Sequence, residues 1–132
     1  MDFDLTDEQK ALQDTLARFI EKDYTFDIRK PIIKSAEGYS KAKWQQLADL
    51  GLLALPFPEA NGGMDGTAVD TMLVMQLLGK GLVVEPYLST VVNGGGFLKA
   101  VGGAVADTVI PQIIDGKVVI AFAYAEPQGR YN

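Results

Sequence analysis

The chain has 132 residues, 48% of them hydrophobic, and a net charge of −5. That is the length of one domain with enough apolar content for a core, and its acidic balance argues against a nucleic-acid binder, which needs clustered Lys and Arg. With no cysteine and no histidine, it has no disulfides, thiol chemistry, serine triad or His-bearing metal motif.

The opening MDFDLTDEQK is acidic where a signal peptide would be basic and then apolar. No run approaches the roughly 18 apolar residues of a membrane span, so a cytoplasmic protein is expected. Thr6 with Gln9 three residues on has capping-box spacing, and Asp7 and Glu8 suit the first turn of a helix. Leu12, Leu16, Phe19 and Ile20 then form an apolar stripe at helical spacing. Residues 26–36 have helical composition, but Pro31 should kink or break the helix, and Gly38 ends it. Arg29, Lys30 and Lys34 read as a solvated basic face.

Ser40 is a candidate N-cap for a helix that turns Trp44, Leu47 and Ala48 inward. Gly51 suits the left-handed position after it, with Leu52 against Leu47. Residues 55–66, LPFPEANGGMDG, read as a loop. Thr67 with Asp70 starts another helix, closed by Gly79 and Gly81. Its apolar residues, Met72 and Met75 among them, lie on nearly all sides and predict burial on several faces. Pro86 suits the first turn of the next helix, which runs to Gly102 and contains Gly94, Gly95 and Gly96. Three interior glycines cost roughly 3 kcal/mol relative to alanine. They imply close packing, a local break, or room for a ligand chain beside the helix. A short helix follows, capped near Asp107, with Pro111 inside and Gly116 as its stop.

After Lys117 the period becomes two: Val118, Ile120, Phe122 and Tyr124 alternate with Val119, Ala121, Ala123 and Ala125. Residues 118–125 read as a strand buried on both faces, with a small-residue face that something flat could approach. A lone strand has unpaired backbone groups. The expected architecture is therefore mainly α, a helical bundle with one C-terminal β-strand, and several helices before a strand suggest an α domain leading into a β domain. The residues show no complete catalytic constellation. Glu59 and Glu126 read as solvated turn carboxylates, and the Asn61-Gly62-Gly63 loop lacks the Lys and spacing of a phosphate loop.

Five segments in order resemble the N-terminal part of an acyl-CoA dehydrogenase. They are DFDLTDEQKALQDTLARFI, Trp44 with LADLGLLALPFPEANGGMDG, MQLLGKGLVVEPY, VIPQIIDGK and AFAYAEP. The details LGKGLVVEPY and AEPQGRYN look closest to the small-subunit, pimeloyl-type members. The resemblance implies an orthogonal or up-down helical domain over residues 1–117, with residues 118–132 as the first strand and turn of a truncated β domain. It implies a flavoprotein using FAD to remove hydrogens from Cα and Cβ of an acyl-CoA thioester, long or dicarboxylic. The base lies in a C-terminal domain outside this chain, so no catalytic residue is assigned and the isolated chain is expected to be inactive. It also implies a homo-oligomer or a heteromer with a second dehydrogenase subunit. Phe122, Tyr124, Ala125 and Tyr131 correspond to flavin-contacting positions. Ala125 stands where the family has threonine, and Arg130-Tyr131-Asn132 where it has Gly-Ser-Asp. Val92, Gly95 and Gly96 correspond to the helix lining the acyl-chain tunnel. The alternative is a non-catalytic helical module that dimerises or pairs with a partner sheet through its terminal strand.

Overall fold

A computed structural model describes residues 4–125 together with 128 and 129. Its helices are α1 (Asp7–Asp23), α2 (Phe26–Ile32), α3 (Lys41–Asp49), α4 (Ala68–Lys80), a compound α5 and α6 (Gly103–Ile114); α5 is π-helical over Leu88–Gly95 and α-helical over Gly96–Val101.

Local chemistry starts and stops most of them. At α1 the Gln9 amide donates to Thr6 Oγ1 at 3.2 Å while the Thr6 amide donates to Gln9 Oε1 at 3.1 Å. These bonds satisfy two N-terminal donors the helix leaves open. Thr67 and Asp70 form the same reciprocal pair at α4. Ser40 caps α3 by accepting from the Lys43 amide. The α3 end is a full Schellman motif: Gly51 at φ +77°, its amide on Ala48 O at 2.8 Å, and the Leu52 amide on Leu47 O at 3.1 Å. Gly116 closes α6 in the same way, with Lys117 donating to Gln112 O at 2.9 Å.

α1 and α4 lie side by side and run parallel. At their starts Gln9 Nε2 donates to Asp70 Oδ1 at 3.0 Å. At their ends Ile20 fills the space above Gly81, where a Cβ would come within 2.9 Å of Ile20 Cγ2. Leu16 and Phe19 of α1 and Val74 and Leu78 of α4 enter one core with Trp44, Leu47, Phe57, Tyr87, Val91, Ile110 and Ile113. Buried polar groups tie the elements together. The Tyr87 hydroxyl donates to Leu52 O at 3.1 Å, the Val84 amide donates to the Tyr24 hydroxyl at 3.2 Å, and the Ser40 amide donates to Glu85 Oε1 at 3.2 Å.

Four expectations change. Met72 is 54% exposed and Val69 43%, so α4 is not covered on several sides; it buries only Leu73, Val74 and Leu78, while Met75 packs at the core edge. α6 begins at Gly103 rather than near Asp107. Gly102 and Gly103 both take positive φ and turn the chain early, with no side-chain cap needed. Asp107 instead accepts from Asn61 Nδ2 at 3.1 Å, tying α6 to the 3-10 turn Glu59–Asn61. Of the two glycines expected to close α4, Gly81 is its C-cap while Gly79 stays inside the helix; the left-handed position that follows is taken by Leu82 at φ +51°. Finally, residues 118–125 form no strand among the described residues. A strand is defined by its ladder, and no described segment pairs with this one. Its start is nonetheless held: Thr90 Oγ1 donates to Ile120 O at 3.0 Å and accepts from the Ile120 amide at 3.2 Å.

Candidate functional site

α5 presents two differently used faces. Thr90, Gly94 and Phe97 meet the C-terminal segment: Thr90 latches Ile120, Gly94 lies under Ile120, and the Phe97 ring meets Phe122 at 5.2 Å between centroids. Val92, Gly96 and Lys99, two residues out of phase, line an apolar groove of ≈ 320 Å³. The opposite wall is Pro56, Phe57 and Gly66 of the preceding loop with Thr67, Ala68 and Thr71 at the start of α4.

That loop is rigid by construction. The chain doubles back so that Asp65 donates to Phe57 O at 2.9 Å and Gly66 to Leu55 O at 2.7 Å. A Cβ at Gly63 would collide with Phe57 O, so only glycine allows this approach. Lys99 Nζ donates to Pro56 O at 2.7 Å, which ties α5 to this loop, and both residues line the groove.

The three glycines of α5 separate by environment. A Cβ at Gly94 would come within 2.7 Å of Ile120 Cδ1, and one at Gly95 within 2.4 Å of Phe57 Cζ. Both glycines serve packing, and Gly95 lies behind Phe57 rather than on the groove wall. Among the described residues, nothing lies within 4 Å of a Cβ at Gly96. Of the three expected substrate positions, the fold thus brings Val92 and Gly96 together on one groove and places Gly95 beneath it.

Of the expected flavin positions, Phe122 is 43% and Tyr124 71% exposed, and Ala125 is exposed. Tyr131, like Glu126, lies outside the described residues. Lys99, Phe57 and Thr90 complete the surroundings and were not legible as site residues. Lys99 carries the one available signal, since it falls seven residues after Val92 on the same helical stripe.

Two tyrosines, Tyr24 and Tyr87, are held neutral. Burial pushes the Tyr87 phenol up, and burial together with the adjacent Glu85 carboxylate pushes Tyr24 up. At the start of α4 the Asp70 carboxyl is held low; burial alone would raise it, and bonds from the Thr67 side chain and backbone and from Gln9 outweigh that. A second depression between α1 and α3 mixes Arg18, Lys22, Asp23 and Asp49 and gathers no convergent chemistry. Among the described residues, no group of three or more Asp or Glu is placed to hold a metal ion, and no helix is long and apolar enough to cross a membrane.

The family described as acyl-CoA dehydrogenase, N-terminal domain, matches residues 6–117. A benzylmalonyl-CoA dehydrogenase from Aromatoleum aromaticum is 29% identical over 130 residues, covering 96% of this chain and 34% of the relative. The ChsE4-ChsE5 complex from Mycobacterium tuberculosis superposes with a TM-score of 0.81 at 24% identity, covering 92% of this chain and 34% of the other. The FAD complex of PigA superposes with a TM-score of 0.79 at 24% identity, covering 98% and 34%. At 24% identity these two likenesses are of fold. The chain spans about a third of the length of each of these three proteins. The match over residues 6–117 puts the helical core, the Pro/Gly loop and both faces of α5 inside one family: this chain belongs to the acyl-CoA dehydrogenase N-terminal domain family.

Proposed function

We propose that this chain is the N-terminal helical part of an FAD-dependent acyl-CoA dehydrogenase, with residues 1–117 as its helical domain and residues 118–132 leading into a β domain. The observation that carries the reading is the family match over residues 6–117, and the partition of α5 into two faces supports it. In this reading the groove between α5 and α4 is one wall of the acyl site, with Val92 and Gly96 facing the acyl chain.

The C-terminal segment fits one wall of a flavin site. Exposed aromatic rings at Phe122 and Tyr124 alternate with alanines, including Ala125, which lets a flat ring system approach. FAD supplies hydride acceptance when bound. What this chain's residues do is narrower: Phe122, braced by Phe97, and Tyr124 would cover the ring and exclude water. Among the described residues 118–125 there is no cation to anchor a pyrophosphate, so FAD would be held mainly by other sequence. The general base is likewise elsewhere, and the isolated chain does not turn over. PigA in its FAD complex and the relative named for benzylmalonyl-CoA are consistent with this cofactor and substrate class. The ChsE4-ChsE5 complex is consistent with assembly beside a second dehydrogenase subunit.

The exposed apolar residues of segment 118–125 also favour pairing with a second copy. One purification addresses both readings. The visible spectrum and acyl-CoA-driven bleaching are recorded on the isolated chain, and its mass is measured by sedimentation. The expected result is no stoichiometric flavin and no bleaching. A bound, substrate-bleachable flavin would overturn the assignment of the base and most of the flavin site to other sequence. A dimer that falls apart when residues 118–132 are removed would favour the pairing module.

A further inference from the structure

Thr90 is spent unlike Thr71 and Thr108, which also lie inside helices. Thr71 Oγ1 donates to Thr67 O at 3.4 Å and Thr108 Oγ1 to Ala104 O at 2.8 Å, the usual bond back to the carbonyl four residues earlier. For Thr90 that carbonyl is Pro86 O, which already accepts from the Ser89 hydroxyl at 3.2 Å and from the Thr90 amide at 2.9 Å. The Thr90 hydroxyl is fully buried and leaves its own helix, donating to Ile120 O at 3.0 Å and accepting from the Ile120 amide at 3.2 Å. One side chain thus meets both polar groups of a distant residue, as the facing residue does in a hydrogen-bonded pair of an antiparallel ladder. Such a pair of bonds fixes the segment's rotation about its own axis. A one-residue slip would turn the other edge toward α5 and exchange the two sets of side chains. As held, Ile120 lies on Gly94 and the Phe122 ring meets Phe97.

We infer that Thr90 is a positioning residue for the proposed flavin wall: its hydroxyl fixes how residues 120–125 are turned against α5, and so where Phe122 and Tyr124 are held for an isoalloxazine ring. The inference rests on the reading of segment 118–125 as that wall. A threonine suits the task, because its β-branched side chain has few rotamers in a helix and keeps the hydroxyl aimed. Losing one or two such bonds shifts an opening equilibrium by about five- to thirtyfold.

The test compares the unsubstituted chain with Thr90→Val, which keeps the branched shape without the hydroxyl, and Thr90→Ser, which keeps the hydroxyl. NMR follows amide hydrogen exchange, the NOE between the Phe97 and Phe122 rings, and the amide shifts of residues 121–125 with millimolar FMN, which carries the flavin ring. In Thr90→Val the Ile120 amide should exchange about five- to thirtyfold faster, and the ring NOE and the FMN shifts should weaken, while the Leu16 and Leu47 amides stay unchanged. Thr90→Ser should restore all three signals. If Leu16 and Leu47 also exchange faster in Thr90→Val, Thr90→Cys against Thr90→Ser repeats the comparison with a side chain of similar size that bonds weakly. A ring NOE unchanged without the hydroxyl would overturn the role of Thr90. Faster exchange at Ile120 with an undiminished FMN response would reduce Thr90 to a structural tie and overturn it equally. If FMN moves no amide of residues 121–125 in the unsubstituted chain, the flavin-wall reading fails and the role toward a cofactor falls with it. Family membership, which rests on the match over residues 6–117, would be untouched by any of these results.

Discussion

The bond between Gln9 and Asp70 joins two helix starts, so losing Asp70 should cost more than losing a cap alone. Asp70 has three tasks. Oδ2 accepts from the Thr67 amide at 2.6 Å and from the Thr67 hydroxyl at 2.7 Å, and Oδ1 accepts from Gln9 Nε2 at 3.0 Å. Gln9 is committed at its other end, where Oε1 accepts from the Thr6 amide. Asp70→Ala removes the return half of the α4 cap, worth about 1 kcal/mol, and the cross-helix bond, worth about another 1 kcal/mol. The expected loss is therefore about 2 kcal/mol. Gln9→Ala removes the α1 return bond and the same cross-helix bond, so the two single losses share a term. In a double-mutant cycle followed by urea denaturation, the pair should show a coupling of roughly 0.5–1 kcal/mol. Asp70→Asn cannot restore it: with its oxygen turned to Thr67, its amide nitrogen would face the amide nitrogen of Gln9.

The same site predicts a pH signature. The folded-state carboxyl is held below its usual range, so the unfolded chain takes up the proton first as pH falls. Stability from Asp70 is then complete above the unfolded pKa of about 3.9 and is lost as pH drops through the lower folded value. The difference between the parent and Asp70→Ala should shrink on acidification. Additive single losses at neutral pH, or a gap that widens in acid, would refute the account of α1 and α4 as helices joined at their starts.

Three further outcomes follow from single positions. Gly95→Ala drives a methyl into Phe57 and should cost about 1–3 kcal/mol in denaturant unfolding, whereas Gly96→Ala, with nothing near the new methyl, should gain up to about 1 kcal/mol. Equal effects at the two positions would contradict the separation of the glycines. Leu82 at φ +51° is 54% exposed, so Leu82→Gly should relieve left-handed strain and raise stability by about 0.5–1 kcal/mol, read as a higher urea midpoint. Tyr24 and Tyr87 keep their protons in the folded state above the unfolded phenol pKa of about 10; stability should hold below that pH and fall as pH rises beyond it, with a shallower fall in Tyr87→Phe.

What was legible in the sequence is what neighbouring residues decide among themselves. Thr6 with Gln9, Thr67 with Asp70, Ser40, Gly51 and Gly116 mark ends through bonds that span three to five residues, and each end falls where its signal lies. The apolar stripe of α1 holds for the same reason. What was not legible depends on distant partners. Met72 has a core residue's chemistry, but its exposure is set by what packs across α4. The glycines of α5 look equivalent in sequence, yet Phe57 and Ile120, 38 and 26 residues away, assign two of them to packing and leave the third open. Asp107 carries a cap signal that Gly102 and Gly103 override by turning the chain first. Lys99 is one of several lysines until the loop brings Pro56 O to it.

The alternation of residues 118–125 deserves the same physical test. Its first half is a packing statement already satisfied: Ile120 sits on Gly94 and is bonded on both sides of its peptide to Thr90. Its second half stays open to solvent among the described residues: Phe122 is 43% and Tyr124 71% exposed, while Phe97 and Val101 of α5 are 52% and 66% exposed. Apolar side chains gathered this way mark an interaction surface rather than a finished exterior. A two-residue period predicts which side chains share a face, and it says nothing about where the ladder partner comes from. The periodicity and the exposure are therefore compatible: the first describes the segment, and the second describes what has yet to cover it. On the proposed reading that cover is a β domain and its flavin, and the helical domain contributes one prepared edge to it.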